Sequence, residues 1–282
     1  MRQQTDQIKA NDGRELFTRH WWPDAPTDRA LVIAHGLGEH SGRYEALAAD
    51  LVQDGWSVHA IDHRGHGRSA GRRADIERFA LLIEDLDRFV VRVQDSTGAN
   101  CVVLLGHSMG GAIALAYALE HAQRLHGLAL SGPALALPRS TPDLQVRLVH
   151  LLAAVAPGLG VLSLPPTAIS RDPAVVAAYT QDPLVHHGRI PARTVAELSA
   201  MMESFPERIG ALRLPVLVQH GTADSLVELD AVRPLYDRLE SADQTVLTYE
   251  GFFHEIFNEP ERARVIGDLK NWLDSRFGGG SS

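Results

Sequence analysis

The sequence predicts an α/β fold, with a mostly parallel central sheet flanked by helices and a helical cap inserted between two core strands. Three observations predict it. Short runs of Val, Ile and Leu recur along the chain, each followed by glycine and then by apolar residues at helical spacing. Such continuous apolar runs mark strands covered on both faces, as in a parallel sheet packed between helices. The rhythm fails over residues 133–214, where prolines and helical patterns occur without a convincing strand. The composition supplies the core: of 282 residues, 45% are hydrophobic and 22% charged, as in a globular domain.

In chain order, Asp6–Ala10 and Glu15–Trp21 flank Asn11-Asp12-Gly13, a strong hairpin turn signal. Core strands are expected at Ala30–Ala34, Ser57–Ile61, Cys101–Leu105, Leu128–Leu130 and Val216–Gln219, with a more alternating one at Thr245–Tyr249. Helical spacing appears over Arg43–Asp54, Asp75–Gln94 and Met109–His121. Within the insertion, Leu144–Val155, Pro173–Thr180 and Ala192–Phe205 are the expected helices. The division is therefore a core of residues 1–132 and 215–277, a cap of residues 133–214, and a flexible tail, Gly278–Ser282. A cap inserted there sits over the carboxyl ends of the strands, the edge where open parallel sheets bind ligands.

Composition excludes several classes. The net charge is −8, with both signs interleaved, so no phosphate-binding footprint is present and no nucleic acid is expected as a partner. The single cysteine, Cys101, excludes an internal disulfide and a cysteine-rich metal site. Met1–Asn11 lacks the apolar centre of a secretory signal. The longest apolar stretch, Leu148–Leu164, is interrupted by Pro157 and two glycines and falls short of the ~20 residues that span a bilayer. A cytoplasmic protein is expected. No histidine–carboxylate set has HExxH spacing, so neither a metal nor a cofactor is expected.

The chemistry is concentrated after the third strand run, where Gly106-His107-Ser108-Met109-Gly110-Gly111 opens a helix. This is the G-x-S-x-G pattern in its strand–turn–helix context, and it resembles the nucleophile elbow of α/β-hydrolases. Side chains at 106 and 110 would collide with neighbouring backbone, and the helix N-terminus favours a developing negative charge. Ser108 is the expected nucleophile. A serine hydroxyl needs a base held by a carboxylate, and in this fold they follow in the order acid, then histidine. Asp224 lies just past Val216–Gln219, and His254 in the loop after Thr245–Tyr249. His254 is thus the expected base, with Glu255 beside it raising its pKa, and Asp224 the expected acid. Asp62 also ends a strand run but precedes Ser108, so it ranks second. For the oxyanion, the expected donors are the backbone amides of Met109 and of Leu37 in His35-Gly36-Leu37-Gly38.

Three longer segments carry a closer resemblance. His35-Gly36-Leu37-Gly38-Glu39-His40-Ser41-Gly42-Arg43-Tyr44, Asp62-His63-Arg64-Gly65-His66-Gly67-Arg68-Ser69 and Leu105-Gly106-His107-Ser108-Met109-Gly110-Gly111-Ala112 resemble the hallmark segments of the monoacylglycerol lipases. Ser170-Arg171-Asp172, Tyr179 with Asp182-Pro183-Leu184, and Tyr249–His254 match further on. The resemblance covers nearly the whole chain. It implies hydrolysis of monoacylglycerols to glycerol and fatty acid through Ser108, His254 and Asp224, with an apolar cap that contacts membrane or micelle surfaces. It also implies that Glu39 and Arg43 shape the glycerol end of the pocket as substrate-binding residues. The same two residues equally suit a buried ion pair that holds their loop. One departure is Phe257, which stands where the animal enzymes carry a further histidine near the glycerol. Lysophospholipase and general carboxylesterase activities use the same machinery, and a non-turning-over ligand receptor would retain it. An aminopeptidase would need acidic residues to hold an amine, for which the cap offers Glu197 and Glu203.

Overall fold

The computed structural model describes residues 1–278. The expected tail begins at Gly278, and its last four residues, 279–282, lie outside the described residues.

The amino-terminal hairpin forms as expected, with β1 (Arg2–Lys9) longer than its turn signal implied and β2 (Glu15–Trp22) antiparallel to it. Gly13 turns the corner in the left-handed region at φ 83°. Next come β3 (Arg29–Ala34), α1 (Glu45–Gln53), β4 (Ser57–Ile61), α2 (Phe79–Thr97) and β5 (Cys101–His107). They are followed by α3 (Met109–Glu120) and β6 (Gly127–Ser131). After the insertion, which holds β7 (Gly160–Leu162) and β8 (Ile190–Pro191), come β9 (Val216–Gly221), α7 (Leu229–Tyr236), β10 (Gln244–Tyr249) and α8 (Arg262–Phe277). The eight-stranded sheet has the order β1-β2-β4-β3-β5-β6-β9-β10. From β4 onward all neighbours are parallel. β4, β6 and β9 are buried along their whole length, which is why their sequences show no alternation.

One helix starts later than its periodicity predicts. Apolar spacing begins at Asp75, yet α2 begins at Phe79. The intervening backbone is bonded to the insertion instead: the Ile76 amide donates to Thr194 Oγ1, the Phe79 amide to Glu197 Oε2, and Arg193 pairs with Asp75. Long-range hydrogen bonds override the local pattern. α3 is apolar all round and buried throughout its first ten residues, as expected for a helix enclosed by other elements.

Residues 132–215 leave the carboxyl end of β6 and return into β9, its direct neighbour. Three helices form there near the expected positions: α4 (Asp143–Val155), α5 (Pro173–Gln181) and α6 (Ala192–Arg208). Asp172 caps α5 by accepting from the Ala174 amide at 2.8 Å. The expectation of no strand there is corrected by β7 (Gly160–Leu162), which pairs antiparallel with β8 (Ile190–Pro191). Strands of three and two residues, one containing proline, leave no periodicity to read.

Candidate active site

Four loops converge at the carboxyl ends of the parallel strands. Ser108 follows β5 with φ 55° and ψ −121°, a conformation that costs a non-glycine residue on the order of 1–3 kcal/mol. The surrounding glycines are what permit it. A Cβ at Gly110 would stand 2.0 Å from the Ala34 carbonyl oxygen, and one at Gly106 would stand 2.4 Å from the Gly110 carbonyl oxygen. The collisions inferred from the motif are thus real contacts with β3 and with the start of α3.

Asp224 follows β9 and His254 follows β10. His254 Nδ1 lies 2.7 Å from Asp224 Oδ2, with both side chains buried. The other carboxylate oxygen, Oδ1, accepts from the Leu226 and Val227 amides at 2.9 Å each. A carbonyl oxygen only accepts, so Nε2 of His220, 2.9 Å from the Val227 carbonyl, carries the proton. Tyr236 then donates its hydroxyl to His220 Nδ1. This second histidine braces the Asp224 loop.

Electrostatics follow from these contacts. Burial opposes the charge on Asp224, but His254, His220 and the loop amides outweigh it and hold the carboxyl well below the usual carboxylate range. Burial also opposes charge on His254, yet Asp224, then Glu255 and Glu39, raise its pKa above the ordinary 6.5. His107, whose ring centroid lies 4.7 Å from that of His254, is pushed down to about 4 by burial and then by His254.

The loop after β3 is folded around Glu39. Its Oε1 accepts from the Gly36 amide at 2.6 Å and the Tyr44 hydroxyl at 2.7 Å, and its Oε2 accepts from Arg43 at 3.0 Å. Among the described residues, the amides of Leu37 and Met109 donate to no protein acceptor. Arg43 also grips Glu255 through both terminal nitrogens, one of them at 2.7 Å from Oε2. The Tyr179 ring lies 4.7 Å from its guanidinium carbon. Asn258 Nδ2 donates to the same Glu255 oxygen at 2.9 Å.

Ser108, His254, Leu37, Met109, Glu39 and Glu255 line one cavity of about 130 Å³. Its apolar side comes from Leu162, Leu164, Leu198 and Met202 of the insertion and from Leu226 and Val227 of the core. Arg43 lines an adjoining space of about 20 Å³ with Phe257 and Asn258. A larger open depression of about 650 Å³ lies at the opposite edge of the sheet, between Pro23–Arg29, Cys101 and Phe277. No histidine accompanies the cysteine there, and burial, then Asp28, push its thiol up to about 11, so it is no ready nucleophile.

Asp62, ranked second as the acid, is occupied by the Ser41 and Arg68 amides at 2.7 and 2.8 Å and tethers two loops. Glu197 is spent on the Phe79 amide and Glu203 is exposed, so neither lines the cavity. Sequence reasoning did not bring Tyr179 and Asn258 into the site. Glu255 entered it only as the neighbour of His254, and no local signal pairs it with Arg43, 212 residues away.

The sheet order and the serine elbow, which shares one cavity with the Asp224-bonded His254, define an α/β-hydrolase. The family described as "Serine aminopeptidase, S33" matches residues 25–261. The monoacylglycerol lipase of Mycolicibacterium smegmatis is 40% identical over 257 residues, 91% of this chain and 92% of that protein. The human monoglyceride lipase is 33% identical, over 94% of this chain and 88% of that protein. Among solved structures, the monoacylglycerol lipase of Paleococcus ferrophilus superposes with a TM-score of 0.84 at 33% identity, covering 93% of this chain and 99% of that one. The chain belongs to the monoacylglycerol lipase family of ester-hydrolysing serine hydrolases.

Proposed function

We propose that this enzyme hydrolyses monoacylglycerols to glycerol and free fatty acid through an acyl-enzyme. Ser108 Oγ attacks the ester carbonyl while His254 takes its proton, with Asp224 fixing the imidazole tautomer and stabilising the imidazolium. The Leu37 and Met109 amides receive the oxyanion. His254 returns the proton to the departing glycerol oxygen, and water, deprotonated by the same base, then releases the fatty acid. The 2.7 Å His254–Asp224 contact beside an elbow serine, at the polar end of an otherwise apolar cavity, carries this reading. The acyl chain takes the apolar side between insertion and core, so residues 133–214 act as a cap. Kinetics on monoacylglycerols, triacylglycerols, lysophospholipids and nitrophenyl esters test it. Monoacylglycerols should give the highest kcat/KM, and Ser108→Ala should abolish turnover on all four.

The cap also serves as a docking lid on lipid surfaces. α4 buries none of its residues, and Leu144, Leu148, Leu151 and Val155 are each more than half exposed. Leu159 and Leu162 extend the patch. Six of the eight large exposed hydrophobic side chains among the described residues fall between 144 and 162, and an apolar patch so concentrated marks an interaction face. Among the described residues, no helix is long and apolar enough to cross a membrane.

A further inference from the structure

We propose that Glu255 makes the alcohol end of the cavity a charge filter, which admits neutral hydroxyl-bearing leaving groups and turns away anionic ones. The inference rests on the hydrolytic reading above and concerns the group that leaves.

Glu39, His107 and Glu255 line both the main cavity and the small space beside it, and so form the wall between them. Arg43 lines only the small space. A substrate beside Ser108 therefore meets two carboxylates first, with the one guanidinium behind them. Both terminal nitrogens of Arg43 are already used, on Glu39 and Glu255, and one face of its guanidinium is covered by Tyr179. No cation is left to pair with a phosphate or carboxylate on the substrate. The three side chains are only 5–10% exposed, so water screens the excess negative charge poorly.

What remains on offer is mostly acceptors. His107 Nδ1 lies 3.0 Å from the Ser131 carbonyl oxygen and must donate to it, which leaves Nε2 as an acceptor. The two carboxylates also accept. Asn258 spends one Nδ2 hydrogen on Glu255, and its second hydrogen and the Tyr179 hydroxyl are uncharged donors there. Hydroxyl groups on a leaving alcohol match this set. An anion would lose its hydration without gaining a partner, and an unpaired charge of this kind is how a site rejects a wrong ligand.

The test compares 1-lauroylglycerol with 1-lauroylglycerol 3-phosphate, both below their micelle concentrations, so that acyl chain and ester are the same. The wild type should favour the neutral ester in kcat/KM by on the order of 100-fold, the scale set by one like charge at short range in a poorly screened site. Glu255→Gln keeps the shape and removes the charge. It should narrow that ratio about tenfold or more, chiefly through gain on the phosphate ester. A wild-type ratio near one, or an unchanged ratio in a variant with wild-type Tm, overturns the filter. Should the variant not fold, inhibition of wild-type nitrophenyl ester hydrolysis decides. Glycerol should compete and glycerol 3-phosphate should not, and equal inhibition by the two overturns the proposal. Absence of turnover on both glycerol esters sinks the hydrolytic reading itself, whereas equal turnover of the two sinks only the filter.

Discussion

His254 Nδ1 and Asp224 Oδ2 meet at 2.7 Å across two loops 30 residues apart, while both oxygens of Asp62 are taken by backbone amides. The two aspartates should therefore respond differently to amide substitution. Asp224→Asn removes the charge that holds the proton on Nδ1, and turnover should fall by several powers of ten, on the order of 10⁴ in the comparable triad case. Asp62→Asn offers an NH₂ group where an acceptor is needed. It should lower Tm while changing kcat far less. Steady-state kinetics with thermal melts on both variants check this, and reversed losses would move the acid to Asp62.

Activity should fall on the acid side through an apparent pKa above the histidine reference of 6.5, because His254 is raised by Asp224 and the neighbouring carboxylates. Below that value the imidazole is protonated and cannot accept from Ser108. Glu255→Gln removes one stabilising negative charge and should move the acid limb to lower pH. A limb that shifts upward, or a rate flat from pH 8 to pH 5, contradicts a His254 base. The profile of kcat/KM against pH on a soluble nitrophenyl ester reports it.

Replacing Leu151 and Leu159 by serine should weaken binding to lipid vesicles and slow long-chain substrates more than water-soluble acetate esters. The leucines are 59% and 49% exposed, so Tm should hold. Vesicle flotation alongside the two substrate classes gives the readout. Equal losses on both classes at unchanged stability would leave α4 as a plain roof over the cavity.

Acid should unfold this protein early. Five buried histidines and the half-buried His20 have lowered pKa values: His20, His66 and His107 at about 4, 3 and 4, with His35, His59 and His63 also pushed down, burial leading in every case. Between 6.5 and about 4 the unfolded chain binds protons at His20, His66 and His107 and the native one does not, and His35, His59 and His63 act in the same direction. The contribution is therefore full above 6.5 and is lost progressively as pH falls below it. His254, raised instead, opposes the trend with a single proton. Urea midpoints measured from pH 7.5 down to 4.5 should drop steadily, and a constant midpoint would refute the account.

The core strands and the strand–turn–helix elbow were legible in the chain because each rests on local pattern. A strand buried on both faces must be apolar throughout, and Ser108 in its strained turn needs glycine at 106 and 110 wherever the rest of the chain goes. The start of α2, the β7–β8 pair and the Glu39–Arg43–Glu255 wall were decided by tertiary structure alone. Arg43 leaves sequence reasoning with two open roles. It joins the ion-paired wall because β3 and β10, on opposite sides of the sheet centre, end at the same edge, and a buried guanidinium takes whatever carboxylates that edge brings within reach. Spacing along a chain encodes what neighbours in one element must do, and says nothing of which loops 212 residues apart will share a charge.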